Sequence, residues 1–210
     1  MDLVDWSEAA YESIREEFTA FAAKLSIPDL TVETDQGSFS LHEWIGDSWA
    51  ILFSHPKDFT PVCTTEFGAV AQLADEWDKR GTKVIGVSVD SAEDHVKWKG
   101  DIEQVAGTKA GFPIIADDGL AVSKAFDMLP AEAYLPDGRT PADSATVRSV
   151  FIIGPDKQLK LTMTYPMTVG RNFGEVLRAL DLDPGDGQGE DSSDDPGEDE
   201  PDPQEPEAQD

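Results

Sequence analysis

Cysteine is almost absent from this chain. Cys63 is the only one among 210 residues, so no disulfide can form within it. Histidine occurs three times, as His42, His55 and His95, and neither their spacing nor that to the cysteine reads as a metal-ligand pair, so no metal site is expected. No glycine-rich loop of the phosphate-cradling kind is present, and no cofactor is called for. Positive charge is scarce: 16 Lys and Arg against 43 Asp and Glu give a net charge of -27. That balance excludes nucleic acid and anionic membrane surfaces as preferred partners, because both require cations on the protein to displace counterions. No apolar run reaches 18 residues, and MDLVDWSEAAYESI lacks the basic start and apolar core of a secretion signal. A cytoplasmic protein without a membrane span is the expectation.

The acid is unevenly placed. From Pro184 onward there are 12 Asp and Glu and no Lys or Arg, which leaves 31 acids against 16 bases in residues 1–183. The tail has no aromatic or large aliphatic residue and is dense in Pro, Gly and like charge. Such a segment cannot bury enough apolar surface to offset its ordering entropy, and residues 184–210 read as a disordered acidic tail. The remaining body still carries a net charge near -15. A salt-rich cytoplasm would screen its self-repulsion, which makes halophilic adaptation one reading of the excess and simple solubility the other.

Residues 7–25 place Tyr11, Ile14, Phe18, Phe21 and Leu25 three and four apart, the spacing of an amphipathic helix, so 1–26 reads as an N-terminal helical segment. From 27 to 183 the pattern is that of one α/β domain. TVET and SFSL bracket the turn DQG, and WAILFS and KVIGVSVD read as strands buried on both faces. Helices are expected over about Thr64–Lys79, over 92–104, within GLAVSKAFDML and over about Asn172–Leu180. PIIAD is a short strand, and ATVRSVFIIG with LKLTMTY forms a hairpin around GPDKQ, while 129–144 is rich in turn formers. The order describes a mixed central sheet flanked by helices.

Cys63 stands in HPKDFTPVCTTEF, at a junction between a buried strand and a helix. A lone cysteine is commonly a small buried hydrophobe. At a helix N-terminus, however, unsatisfied N–H groups and the positive end of the dipole favour the thiolate, which is the nucleophile. Pro56, Thr60 and Cys63 form P-x-x-x-T-x-x-C, and here the chain resembles the peroxiredoxins of the AhpC/TSA thiol-specific antioxidant family. HPKDFTPVCTTE is similar to the form seen in their 1-Cys subgroup. The likeness runs from about Ile27 to Asp181 through GDSWAILFSHP, VIGVSVDSAEDHVKW, PIIAD, VFIIGPDKQLKL and YPMTVGRN.

This resemblance implies a thioredoxin-like fold and a thiol-dependent peroxidase acting on hydrogen peroxide and organic hydroperoxides. It implies Cys63 as the peroxidatic cysteine, which becomes a sulfenic acid. Thr60 is then the hydroxyl that bonds the thiolate and the peroxide, Pro56 the residue that shields the sulfur, and Arg148 the guanidinium that stabilises thiolate and developing oxyanion. Arg171 corresponds to a second arginine near the site, Glu66 to a carboxylate orienting one of them, and His55 to a support of the loop before Cys63. Arg148 interrupts an apolar strand and needs a partner there, whereas Arg139 in its turn reads as a surface charge. With no second cysteine, the sulfenate must be recycled by an external thiol or a thioredoxin-like reductant. The resemblance implies a homo-oligomer, a dimer or larger. It also implies a further C-terminal domain after the last helix, whereas this sequence runs directly into its acidic tail.

Two other readings follow. Some 1-Cys relatives carry a phospholipase-type serine, and Ser48, His42 and Asp156 match that trio, although GDS is not a G-x-S-x-G elbow and the acidic body opposes anionic lipid. A holdase or redox-sensing assembly is the non-enzymatic alternative.

Overall fold

The computed structural model describes residues 25–129 and 145–181; the expectations for residues 7–24, for most of 129–144 with Arg139, and for the tail fall outside this range. The first described strands are β1 (Thr31–Thr34) and β2 (Gly37–Ser40), a hairpin whose turn needs the positive φ of Gly37. A short helix α1 (Leu41–Ile45) leads into β3 (Trp49–Ser54), then helices α2 (Pro61–Gln72) and α3 (Ala74–Lys79). Strand β4 (Thr82–Ser88), helix α4 (Ala92–Ala106), strand β5 (Ile114–Ala116) and the short α5 (Ala121–Ala125) follow. The antiparallel pair β6 (Arg148–Ile153) and β7 (Leu159–Tyr165) precedes the final described helix α6 (Phe173–Asp181). The strands form one sheet in the order β2-β1-β5-β4-β3-β6-β7, parallel between β3, β4 and β5 and antiparallel elsewhere. The fold is a thioredoxin-like α/β sandwich.

The period of two in the central strands divides the core into two layers. Ile51 and Phe53 of β3, with Val150 and Ile152 of β6, face Phe67, Val70, Trp98, Ile102, Phe173 and Val176 from α2, α4 and α6. Ala50, Leu52, Phe151 and Ile153 face the other way, onto Leu41, Ile45, Val122, Phe126 and Met128. Arg148 shares the parity of Val150 and Ile152. The strand therefore carries its side chain to the same face as α2, which holds Cys63.

Two boundaries differ from the sequence pattern. The helix expected from Thr64 begins at Pro61, whose missing N–H costs nothing in the first turn, so Cys63 lies inside the first turn. The same helix breaks at Leu73. There the chain turns so that Trp77 is buried and its indole donates at 3.1 Å to the Val70 carbonyl, which also accepts from the Leu73 amide at 3.2 Å where α2 ends. Gly86 in β4 has a packing role: a Cβ built there would lie 2.9 Å from ring carbons of Phe67, so only glycine leaves room for that ring.

Candidate active site

Cys63 is fully buried in the first turn of α2. Its sulfur accepts from Arg148 Nη1 at 3.4 Å. The same guanidinium nitrogen is paired with Glu66 Oε2, and Arg148 Nε donates to the Met167 carbonyl at 2.7 Å. Glu66, one turn after Cys63, also receives Arg171: its Oε1 accepts from the Arg171 amide at 2.6 Å and Nε at 3.0 Å, and its Oε2 from Nη2 at 3.1 Å. Arg171 Nη1 then donates to the carbonyls of Ser54 at 2.7 Å and Ser149 at 2.9 Å. Its guanidinium lies over the rings of Phe53 and Phe173. Burial pushes the pKa of Arg171 down and the bond and charge of Glu66 push it back up, with Arg148 opposing.

Two buried cations thus share one buried carboxylate, so the cluster carries one uncompensated positive charge when the sulfur is protonated. It is neutral when Cys63 is a thiolate. Burying an unpaired charge is costly, and the arrangement favours the anion on sulfur. The first-turn N–H groups of α2 add in the same direction.

The other described residues singled out in the sequence show no hydrogen bond to the sulfur. Thr60 is the N-cap of α2, and its hydroxyl donates to the Lys57 carbonyl at 3.2 Å rather than to Cys63. Pro56 is half-buried and lines a cavity of about 290 Å³ with Lys57, Val89, Asp90, Ser91 and Asp94. A more open cavity of about 460 Å³ lies between Pro61, Val62, Thr65 and Ala69 of α2 and Gly170, with Glu66 and Arg171 in its wall. Phe59, Val62, Met167 and Val169 are exposed apolar residues of the segments on either side of the thiol. Phe59 holds a positive φ of 57° in the loop before α2, a conformation costly for an aromatic residue.

His55 is also fully buried. It belongs to a group the sequence spacing did not reveal: Asp58 receives His55 Nε2 at 2.6 Å and His95 Nδ1 at 2.6 Å, one on each carboxylate oxygen. His95 comes from α4, so only the fold brings the two histidines together. The local signal available was a histidine with an acid three residues later. His55, Asp58 and Asp90 are the described residues that could hold a metal ion, with ligand atoms within 4.8 Å of one another, although Asp58 gives one carboxylate oxygen to each histidine.

The trio Ser48, His42 and Asp156 is not joined. His42 Nε2 lies 3.0 Å from the Ile27 carbonyl, Asp156 is bound to Lys160 at 2.7 Å, and among the described residues no hydrogen bond links the three. No described helix is long and apolar enough to cross a membrane.

The model of the AhpC/TSA family matches residues 16–162. The chain is 49% identical over 157 residues to the mitochondrial peroxiredoxin PRX1 of Saccharomyces cerevisiae, covering 73% of this chain and 59% of that relative. Among solved structures, a cysteine-to-serine mutant of peroxiredoxin 6 from Arenicola marina superposes with a TM-score of 0.68 at 45% identity, covering 74% of this chain and 70% of that one. The yeast mitochondrial 1-Cys peroxiredoxin, solved to explain thiol resolution through glutathione/thioredoxin systems, gives a TM-score of 0.65 at 45% identity, covering 74% and 73%.

Proposed function

The chain belongs to the AhpC/TSA family and is a thiol-dependent peroxidase of the 1-Cys peroxiredoxin kind, and we propose that Cys63 is its peroxidatic residue. The thiolate attacks the terminal oxygen of a hydroperoxide, the S–O bond forms as the O–O bond breaks, and the leaving alkoxide or hydroxide takes up a proton. Cys63 is left as a sulfenic acid. The observation that carries this reading is the charge balance at the sulfur, with Arg148 at 3.4 Å and two buried arginines on one carboxylate.

Arg148 is placed to stabilise the charge that grows on the peroxide oxygens, and Glu66 and Arg171 fix it. Thr60 reaches the peroxide after rotating away from the Lys57 carbonyl, and Pro56 packs the loop behind it. Because Cys63 is fully buried, peroxide enters when the first turn of α2 or the segment around Met167 moves. The single cysteine requires an external reductant. The yeast relative's glutathione/thioredoxin systems support a low-molecular-weight thiol or a thioredoxin-like protein in that role. Exposed Phe59, Val62, Met167 and Val169 support a homo-oligomeric assembly that covers them. The cytoplasm is the proposed location, which cell fractionation tests. Peroxide consumption by wild type and Cys63→Ser, with glutathione or thioredoxin as recycling thiol, tests the reading as a whole.

A further inference from the structure

The group around Asp58 contains a proton that can be located. Oδ1 of Asp58 accepts from His55 Nε2–H and Oδ2 faces His95 Nδ1, both at 2.6 Å. The other nitrogen of His95, Nε2, lies 3.2 Å from the carbonyl oxygen of Ile115, which can only accept. A neutral His95 with its proton on Nδ1 would aim a lone pair at that carbonyl. With its proton on Nε2 it would aim a lone pair at the Asp58 carboxylate. Both contacts are satisfied only when the Asp58–His95 unit holds two protons, as imidazolium and carboxylate or as imidazole and carboxylic acid. His55 needs no such proton: its Nδ1 is buried without a partner, as in a neutral ring donating through Nε2.

We propose that Asp58, held between His55 and His95 with two protons in the Asp58–His95 unit, is the positioning residue for the loop that delivers Cys63, and that loss of the shared proton releases it. The grip extends to the reacting turn. His55 stacks on Trp98 with ring centroids 4.9 Å apart, Trp98 donates to the Thr64 hydroxyl at 3.0 Å, and that hydroxyl donates to the Thr60 carbonyl at 2.8 Å. Thr64 follows Cys63 directly. The further charged group against the cluster is Asp90 at the end of β4, whose Oδ2 accepts from the Asp58 amide at 2.9 Å and from Ser88. The histidines enter from β3 and α4, and β5 supplies only its carbonyl, so the unit ties three elements to the Cys63 loop.

Asp58→Asn separates protonation from packing. Its amide donates to Nδ1 of a neutral His95, whose Nε2–H keeps the Ile115 carbonyl, and its oxygen still accepts from His55. Nitrogen NMR of the histidine rings in the full chain at neutral pH reads this directly. Two protonated ring nitrogens on His95, or one with a carboxylic proton on Asp58, are expected in wild type. One protonated nitrogen on His95 beside a neutral amide is expected in Asp58→Asn. In stopped-flow reaction with hydrogen peroxide, Asp58→Ala should form sulfenate on Cys63 about ten- to a hundredfold more slowly, the scale of a misplaced reacting group. Asp58→Asn should recover most of that rate, and should lack the reversible alkaline fall expected of wild type. A single proton shared by Asp58 and His95 in wild type overturns the proposal, as does an Asp58→Ala protein that reacts at the wild-type rate. If Asp58→Ala does not fold, the wild-type NMR result decides. The kinetic arm rests on Cys63 as the peroxidatic residue: failure of that reading shows as no sulfenate in wild type, whereas the NMR arm is independent of it.

Discussion

Cys63 and Arg148 stand 85 residues apart in sequence and are joined by a 3.4 Å hydrogen bond from guanidinium to sulfur. The contact exists because β6 pairs antiparallel with β3, whose end leads into the Cys63 loop, and because Arg148 falls on the α2-facing parity of β6. Arg148 also needs its fork: one arm reaches Met167, another meets Glu66 and the sulfur. A lysine offers charge without that geometry. Arg148→Lys should therefore lower the rate of sulfenate formation by about a hundredfold or more, the scale of losing a fixed oxyanion donor. Single-turnover peroxide kinetics measure it.

Glu66 is the one carboxylate shared by two buried arginines. Glu66→Ala leaves both without their carboxylate and should destabilise the protein by roughly 3–5 kcal/mol, read by urea denaturation. Glu66→Gln keeps acceptor and shape and should cost less while still slowing peroxide reduction.

Stability should fall with acid in two stages. Burial, the largest influence, pushes the His55 imidazole down, and Asp58 only partly opposes it. The unfolded chain takes up a proton near pH 6.5 that folded His55 refuses, so the contribution of His55 to stability is fully present above that pH. Below it, stability declines by up to about 1.4 kcal/mol per unit. At Asp58 burial raises the pKa, but the bonds from His55 and His95 outweigh it, so the carboxyl sits below its ordinary value. That contribution is present above about pH 3.9 and is lost below it. Urea midpoints between pH 7 and 5 should fall for wild type and stay flatter for His55→Gln.

Much of this was legible in the sequence and some was not. Strand parity in WAILFS and VRSVFII carries the two-layer core, and local chemistry around Cys63 pointed to a thiolate before any contact was visible. The break at Leu73 was hidden because the helical pattern continues through it, and only the burial of Trp77 requires the turn. The grip on Asp58 was hidden for a different reason. It depends on His95 arriving from another helix, and sequence spacing carries no information about such a meeting.

Gly86→Ala should destabilise by about 1–3 kcal/mol, since the added methyl meets the Phe67 ring at 2.9 Å. Because Phe67 lies one turn beyond Cys63 on α2, the same variant should also slow sulfenate formation. Thermal unfolding and peroxide kinetics on one preparation test both.

The acid excess predicts a response to salt. With a net charge of -27 and few basic residues to pair, self-repulsion falls as KCl shortens the screening length from about 10 Å at 0.1 M to about 3 Å at 1 M. The melting temperature should rise across that range. Full stability and activity near zero salt would remove the halophilic reading.

The most direct test of the account is stopped-flow consumption of hydrogen peroxide with mass spectrometry of Cys63 before and after one equivalent. The account predicts rapid loss of one peroxide per chain, one added oxygen on Cys63 that an external thiol removes, and no reaction in Cys63→Ser. Equal peroxide consumption by Cys63→Ser, with no oxygen added to Cys63 in wild type, would contradict it.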